Sequence, residues 1–210
     1  MTYPFKIIFS LVLLIAITSC THSQNMKVPS KECIALNNKG VDYLMIFPTH
    51  GDDELNKAID CFKQAIQLDS TYATAYINIS IAYHRKLDFA DEMKTYNVLL
   101  VLTNNSPSIQ LMKGVLFERI NNIDSAKLYY NFATIGYEKE QVRHPDNAEN
   151  IKALILLKAL TDGKDAALKK LDEQIKAHPE LQGKLSGEYE YYKSFDRHNY
   201  IYDLPTEVEN

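Results

Sequence analysis

The stretch Ala58-Ile59-Asp60-Cys61-Phe62-Lys63-Gln64-Ala65 decides how this chain folds, because its pattern returns twice further on. Ala58, Phe62 and Ala65 recur as Glu92, Tyr96 and Leu99, then as Ala126, Tyr130 and Ala133, each step being 34 residues. Spacings of four and three place such residues on one face of an α-helix. Ser80, twelve residues ahead of Glu92, and Tyr83, nine ahead, recur as Gly114 and Phe117 ahead of Ala126. Each period is therefore two helices and a turn. Small residues at Gly114, Ala126 and Ala133 let antiparallel backbones approach, while Tyr83, Phe117 and Tyr130 fill the space beside them.

The same start appears at Gly40 and Tyr43, but Gly40 to Ala58 is eighteen residues rather than twelve. Met45 to Gly51, with Pro48 and Gly51 as breakers, is expected to absorb the six extra residues by lengthening the first helix and its turn. A degenerate fourth unit spans Ile151 to Pro179, where the apolar run Ala153 to Leu157 meets Asp162-Gly163, then Ala167, Leu171 and His178-Pro179.

These columns resemble the tetratricopeptide repeat, whose helix-turn-helix unit carries Leu-Gly-x-x-Tyr in its first helix and Ala-x-x-x-Phe in its second. The resemblance implies an all-α fold, a right-handed α-solenoid of three to four such repeats over residues 31–179. Glu92 departs from the family's alanine, and Ser70 and Asn104 from its closing proline. Solenoids need an element covering their last apolar face. Residues 180–210, with Tyr189, Tyr191, Tyr192, Phe195, Tyr200 and Tyr202, are expected to supply it as a C-terminal cap or tail.

The first residues read as an address. Met1 to Lys6 holds one positive charge, and Ile7 to Ile17 is apolar apart from Ser10. That run is shorter than the roughly 20 residues a membrane span needs, so residues 1–19 read as a signal peptide. Ile17-Thr18-Ser19-Cys20 resembles the lipobox of bacterial lipoproteins, implying a lipidated Cys20 with residues 20–30 as a polar tether. Among Bacteroidetes-like lipoproteins, which the leader resembles, an acidic stretch after the cysteine favours surface display. Its absence here favours a periplasm-facing, lipid-anchored place in the cell envelope.

Composition narrows the function. With 46% apolar and 24% charged residues the chain has ordinary globular composition, which excludes a disordered or collagen-like polypeptide. A net charge of −4 and no Lys/Arg run longer than two exclude the basic field that nucleic acid requires. Once Cys20 is assigned to lipid, Cys33 and Cys61 remain as either a disulfide pair or two partly buried thiols. His50-Gly51-Asp52-Asp53-Glu54 invites a hard-cation reading, but carboxylates opening a helix are explained by its free N–H groups and positive dipole end. No metal and no cofactor is expected. Asp69-Ser70-Thr71 and Asp124-Ser125-Ala126 resemble a Bacteroidetes O-glycosylation acceptor, and turn and cap roles account for both.

No phosphate loop, serine elbow or metalloprotease helix is present in the sequence, so an enzyme is not expected. In the family the first helix of each unit lines a concave groove. The register places Val41 and Leu44, Ile77, Ile81 and His84, and Leu111 and Val115 there, as a partner-binding surface for a cell-envelope protein or peptide. Apolar residues replace the polar ones of the family's carboxylate clamp. The alternative is a glycan- or small-ligand-binding lipoprotein using the Tyr-rich C-terminal segment, and exposure of those rings discriminates the two.

Overall fold

The computed structural model describes residues 28–202; the leader, Cys20 and residues 203–210 lie outside them. Among the described residues there is no strand. Four antiparallel helix pairs follow one another: α1 (Lys31–His50) with α2 (Asp52–Leu68), α3 (Ala73–Arg85) with α4 (Phe89–Leu102), α5 (Pro107–Arg119) with α6 (Ile123–Arg143), and α7 (Ala148–Asp162) with α8 (Lys164–Ala177). A 3-10 turn (Pro179–Leu181) and three short helices, α9 (Gln182–Leu185), α10 (Glu188–Lys193) and α11 (Arg197–Tyr202), complete the described chain. The chain divides into two compact units, residues 1–109 and 110–210, the division falling inside α5.

Side-chain caps start the helices where the sequence supplies them. Ser30 accepts from the Cys33 amide at 3.1 Å, Asp88 from the Asp91 amide at 3.1 Å, and Asn122 from the Ser125 amide at 3.1 Å, each cap being worth about 1 kcal/mol. The last two are one period apart, and so is the turn before them. Leu87 and Asn121 take positive φ of 58° and 59°. The Asp88 and Asn122 amides reach back to the carbonyls of Tyr83 and Phe117 at 2.9 and 2.8 Å. That bond closes a helix through one left-handed residue.

The small-residue columns work by contact. A Cβ on Gly40 would come within 2.5 Å of the Phe62 ring, and one on Gly114 within 2.7 Å of the Tyr130 ring. Only hydrogen fits where aromatic and backbone approach this closely. In the first unit the core gathers Leu44, Leu55, Ala58, Phe62, Ile79, Ile81 and Tyr83. In the second it gathers Ile151, Ile155, Ala167 and Leu171 with Leu181, Leu185 and Tyr192.

The expected break at Pro48 does not occur: α1 runs through it to His50 and stops at Gly51, which adopts φ 86°. Proline has no N–H for the carbonyl four residues back, that of Leu44. Arg85 takes the missing donor's place, its Nη1 donating to the Leu44 oxygen at 2.9 Å. The inserted residues therefore extend α1. Asp52, Asp53 and Glu54 fall in the first turn of α2, as the dipole argument requires, and Glu54 pairs with Lys57 at 2.6 Å.

Candidate interaction surfaces

In the first unit the residues expected to line a groove divide into two sets. Leu44 and Ile81 are 5% and 8% exposed and belong to the core. Val41 and Ile77 pack against that core and are only partly buried, and His84 is half-buried. Between them Asn78 donates to Asn37 at 2.8 Å, a buried polar pair joining α3 to α1. In the second unit Leu111 is buried and Val115 half-buried.

The helix pairs carry a polar motif that follows the tyrosine hydroxyl. In the first pair the packed ring is Phe62 and its neighbours Ala58 and Leu44 are apolar. In the second pair the ring is Tyr96, whose hydroxyl needs an acceptor once buried. Glu92, standing where Ala58 stands one period earlier, supplies it: its Oε1 lies 3.1 Å from the Tyr96 hydroxyl and 3.0 Å from His84 Nδ1. The departure from alanine at Glu92 is thus matched to the change from Phe to Tyr.

In the third pair Ala126 is restored and the acceptor moves to Glu118, one period after His84. Tyr130 donates to Glu118 Oε2 at 2.9 Å. Burial, and then the Glu118 charge, push the Tyr130 hydroxyl well above its ordinary pKa. The cation here comes from α11, whose Arg197 Nη1 lies 2.5 Å from Glu118 Oε1. The sequence reading gave Arg197 no role. The signal available was the change from Phe62 to Tyr130, because each buried hydroxyl calls for an acceptor and each buried carboxylate for a cation.

Two clefts adjoin this pair. One, about 230 Å³, is bounded by Glu118, Tyr130, Leu160 and Arg197. The other, about 310 Å³, lies between α6 and α7, and both share Lys127, Tyr130 and Thr161.

The C-terminal rings pack on one another rather than forming an open row. Tyr191 meets Tyr192 at 4.9 Å and Phe195 at 5.8 Å, and Phe195 meets Tyr200 at 5.7 Å. Burial pushes the Tyr191 hydroxyl up to about 12, with Glu188 adding to it. Cys33 and Cys61 are free and buried; the Cys33 thiol donates to the Ala65 carbonyl at 3.3 Å. Asp69 Oδ1 accepts from the Thr71 amide and hydroxyl, a local turn. Among the described residues no group of three or more His, Cys, Asp or Glu could hold a metal ion, and no helix is long and apolar enough to cross a membrane.

The family described as TPR repeat matches residues 53–86, which are α2 and α3 with their connection. Among solved structures, the chain is similar to the first TPR of Spaghetti (RPAP3) bound to HSP90 peptide SRMEEVD. Identity is 21% over 63% of this chain and 94% of that one, with a TM-score of 0.42. No curated protein matches the sequence. The fold is an all-helical, tetratricopeptide-like repeat of helix pairs.

Proposed function

We propose that this protein is a lipid-anchored interaction scaffold of the bacterial cell envelope that holds a partner polypeptide and carries out no reaction of its own. The observation that carries the scaffold reading is the 34-residue register realised as helix pairs, an architecture whose first helices make extended binding surfaces. Within the first unit half-buried Val41, Ile77 and His84 are the accessible part of the proposed surface, and within the second, taken by itself, half-buried Val115 is. The mutual packing of the C-terminal rings supports this reading over a glycan platform, which needs faces open to solvent. The anchor rests on Ile17-Thr18-Ser19-Cys20, with a periplasm-facing position.

Affinity capture from membranes tests the scaffold, comparing wild type with Val41→Lys and Ile77→Lys. At half-buried positions a lysine lays its stem on the apolar surface and keeps its charge in water, so the fold should survive. Loss of the captured partner with an unchanged melting point is expected, and an identical set of captured proteins would overturn the reading. For the anchor, Cys20→Ala should release the chain from membranes and abolish palmitate labelling. A correctly cleaved, unlabelled chain that stays in the membrane fraction would defeat the lipid proposal.

A further inference from the structure

The last described helix, α11, packs its Tyr200 ring on Phe195 at 5.7 Å and adds specific polar contacts within the second unit. Arg197 reaches Glu118 Oε1 at 2.5 Å and donates through Nε to the Leu160 carbonyl at 2.7 Å. Arg119 donates to the Tyr202 carbonyl at 2.6 Å. Ile201 is buried. These partners stand on α5 and α7, the first helices of their pairs.

Glu118 is the unusual member. Its side chain is 5% exposed, while that of its cation, Arg197, is 48% exposed. In the preceding period the buried carboxylate Glu92 finds His84 within its own helix pair, but Glu118 depends on a guanidinium from a separate segment. A buried carboxylate is costly without a cation, and a fork-shaped guanidinium suits it best. The segment providing it is six residues long, too short to be a stable helix by itself. It also leaves space unfilled, since the cleft of about 230 Å³ opens beside Arg197, and the cleft of about 310 Å³ adjoins it through Lys127, Tyr130 and Thr161.

We propose that Glu118, Arg119 and the Leu160 carbonyl form a docking site for a polypeptide segment carrying an arginine and an aliphatic residue four positions later, and that residues 197–202 occupy it as a resident ligand. A partner with that pattern takes the site by displacing α11. Its arginine replaces Arg197 on Glu118, its main-chain carbonyl replaces that of Tyr202 on Arg119, and its flanking residues enter the clefts along Lys127 and Thr161. The proposal rests on the scaffold reading and gives it a partner chemistry.

The probe is a labelled synthetic peptide of residues 196–202, Asp-Arg-His-Asn-Tyr-Ile-Tyr, titrated into the full chain. Wild type should bind it weakly because the resident segment competes. Arg197→Ala should bind it at least tenfold more tightly, and adding Glu118→Gln should remove that gain, as should alanine in place of the peptide's arginine. Equal binding by wild type and Arg197→Ala, or binding indifferent to Glu118→Gln, overturns the proposal. Should Arg197→Ala fail to fold, hydrogen exchange on wild type decides: excess peptide must raise exchange in residues 197–202, and unchanged exchange overturns the proposal. If membrane capture loses its partner with Ile77→Lys while the peptide fails these tests, the scaffold reading stands and this site falls.

Discussion

Arg85 donates its Nη1 hydrogen to the Leu44 carbonyl, 2.9 Å away, the one helical acceptor that Pro48 leaves without a donor. Arg85→Ala should cost about 1.5–3 kcal/mol, the range for a charge-assisted bond to a group left unsatisfied. In a Pro48→Ala background the restored amide can bond the same carbonyl, so Arg85→Ala should then cost about 1 kcal/mol less. Denaturant titration of the four chains measures the coupling. Strictly additive effects would mean that Arg85 stabilises through other contacts.

The Glu92–Tyr96 pair predicts a second coupling. Glu92 is 1% exposed and its Oε2 has no hydrogen-bond partner, so the carboxylate is held at a cost. Glu92→Ala alone takes the carboxylate acceptor away from the Tyr96 hydroxyl and should destabilise by about 1–3 kcal/mol. Glu92→Ala with Tyr96→Phe recreates the Ala58 and Phe62 combination of the first pair. Replacing a buried polar set by packed apolar groups is often neutral or stabilising. The double variant should melt at or above wild type; a double variant weaker than Glu92→Ala alone would refute the pairing.

One chemical change should have opposite signs at two glycines. Gly114→Ala puts a methyl 2.7 Å from the Tyr130 ring, and that ring is fixed by its bond to Glu118. Overpacking of this kind costs about 1–3 kcal/mol, more than helix propensity returns. Gly183 has nothing within 4 Å of a new Cβ, so Gly183→Ala should gain up to about 1 kcal/mol. Melting points that move in the same direction would contradict the close helix contact at Gly114.

Burial raises the pKa of the Glu188 carboxyl, and Lys152, 3.7 Å away, opposes that only in part. An acid whose folded-state pKa is raised holds its proton more tightly when folded. Its contribution to stability is therefore present at low pH and lost as pH rises from the ordinary 4.5 through the raised value. Glu188→Gln removes the loss, so its melting point relative to wild type should improve between pH 4 and pH 7. A difference that stays constant, or moves the other way, would show that Lys152 compensates fully.

The sequence by itself determined the repeat. Small and aromatic residues 34 positions apart, and the cap residues Asp88 and Asn122 in the same register, act over one or two helical turns. Local periodicity carries that information completely. It also showed the long first helix, although it took Pro48 for a break because the donor that rescues the Leu44 carbonyl stands 41 residues away. Only the tertiary structure decided which lining positions close into the core, as Leu44 and Ile81 do, and which remain accessible, as Val41 and Ile77 do. It alone brought Arg197 to Glu118 and the Tyr202 carbonyl to Arg119, 83 residues earlier. The physical reason is that a helix face is set by neighbours in the chain, whereas the partner of a buried charge is set by the path the chain takes back to it.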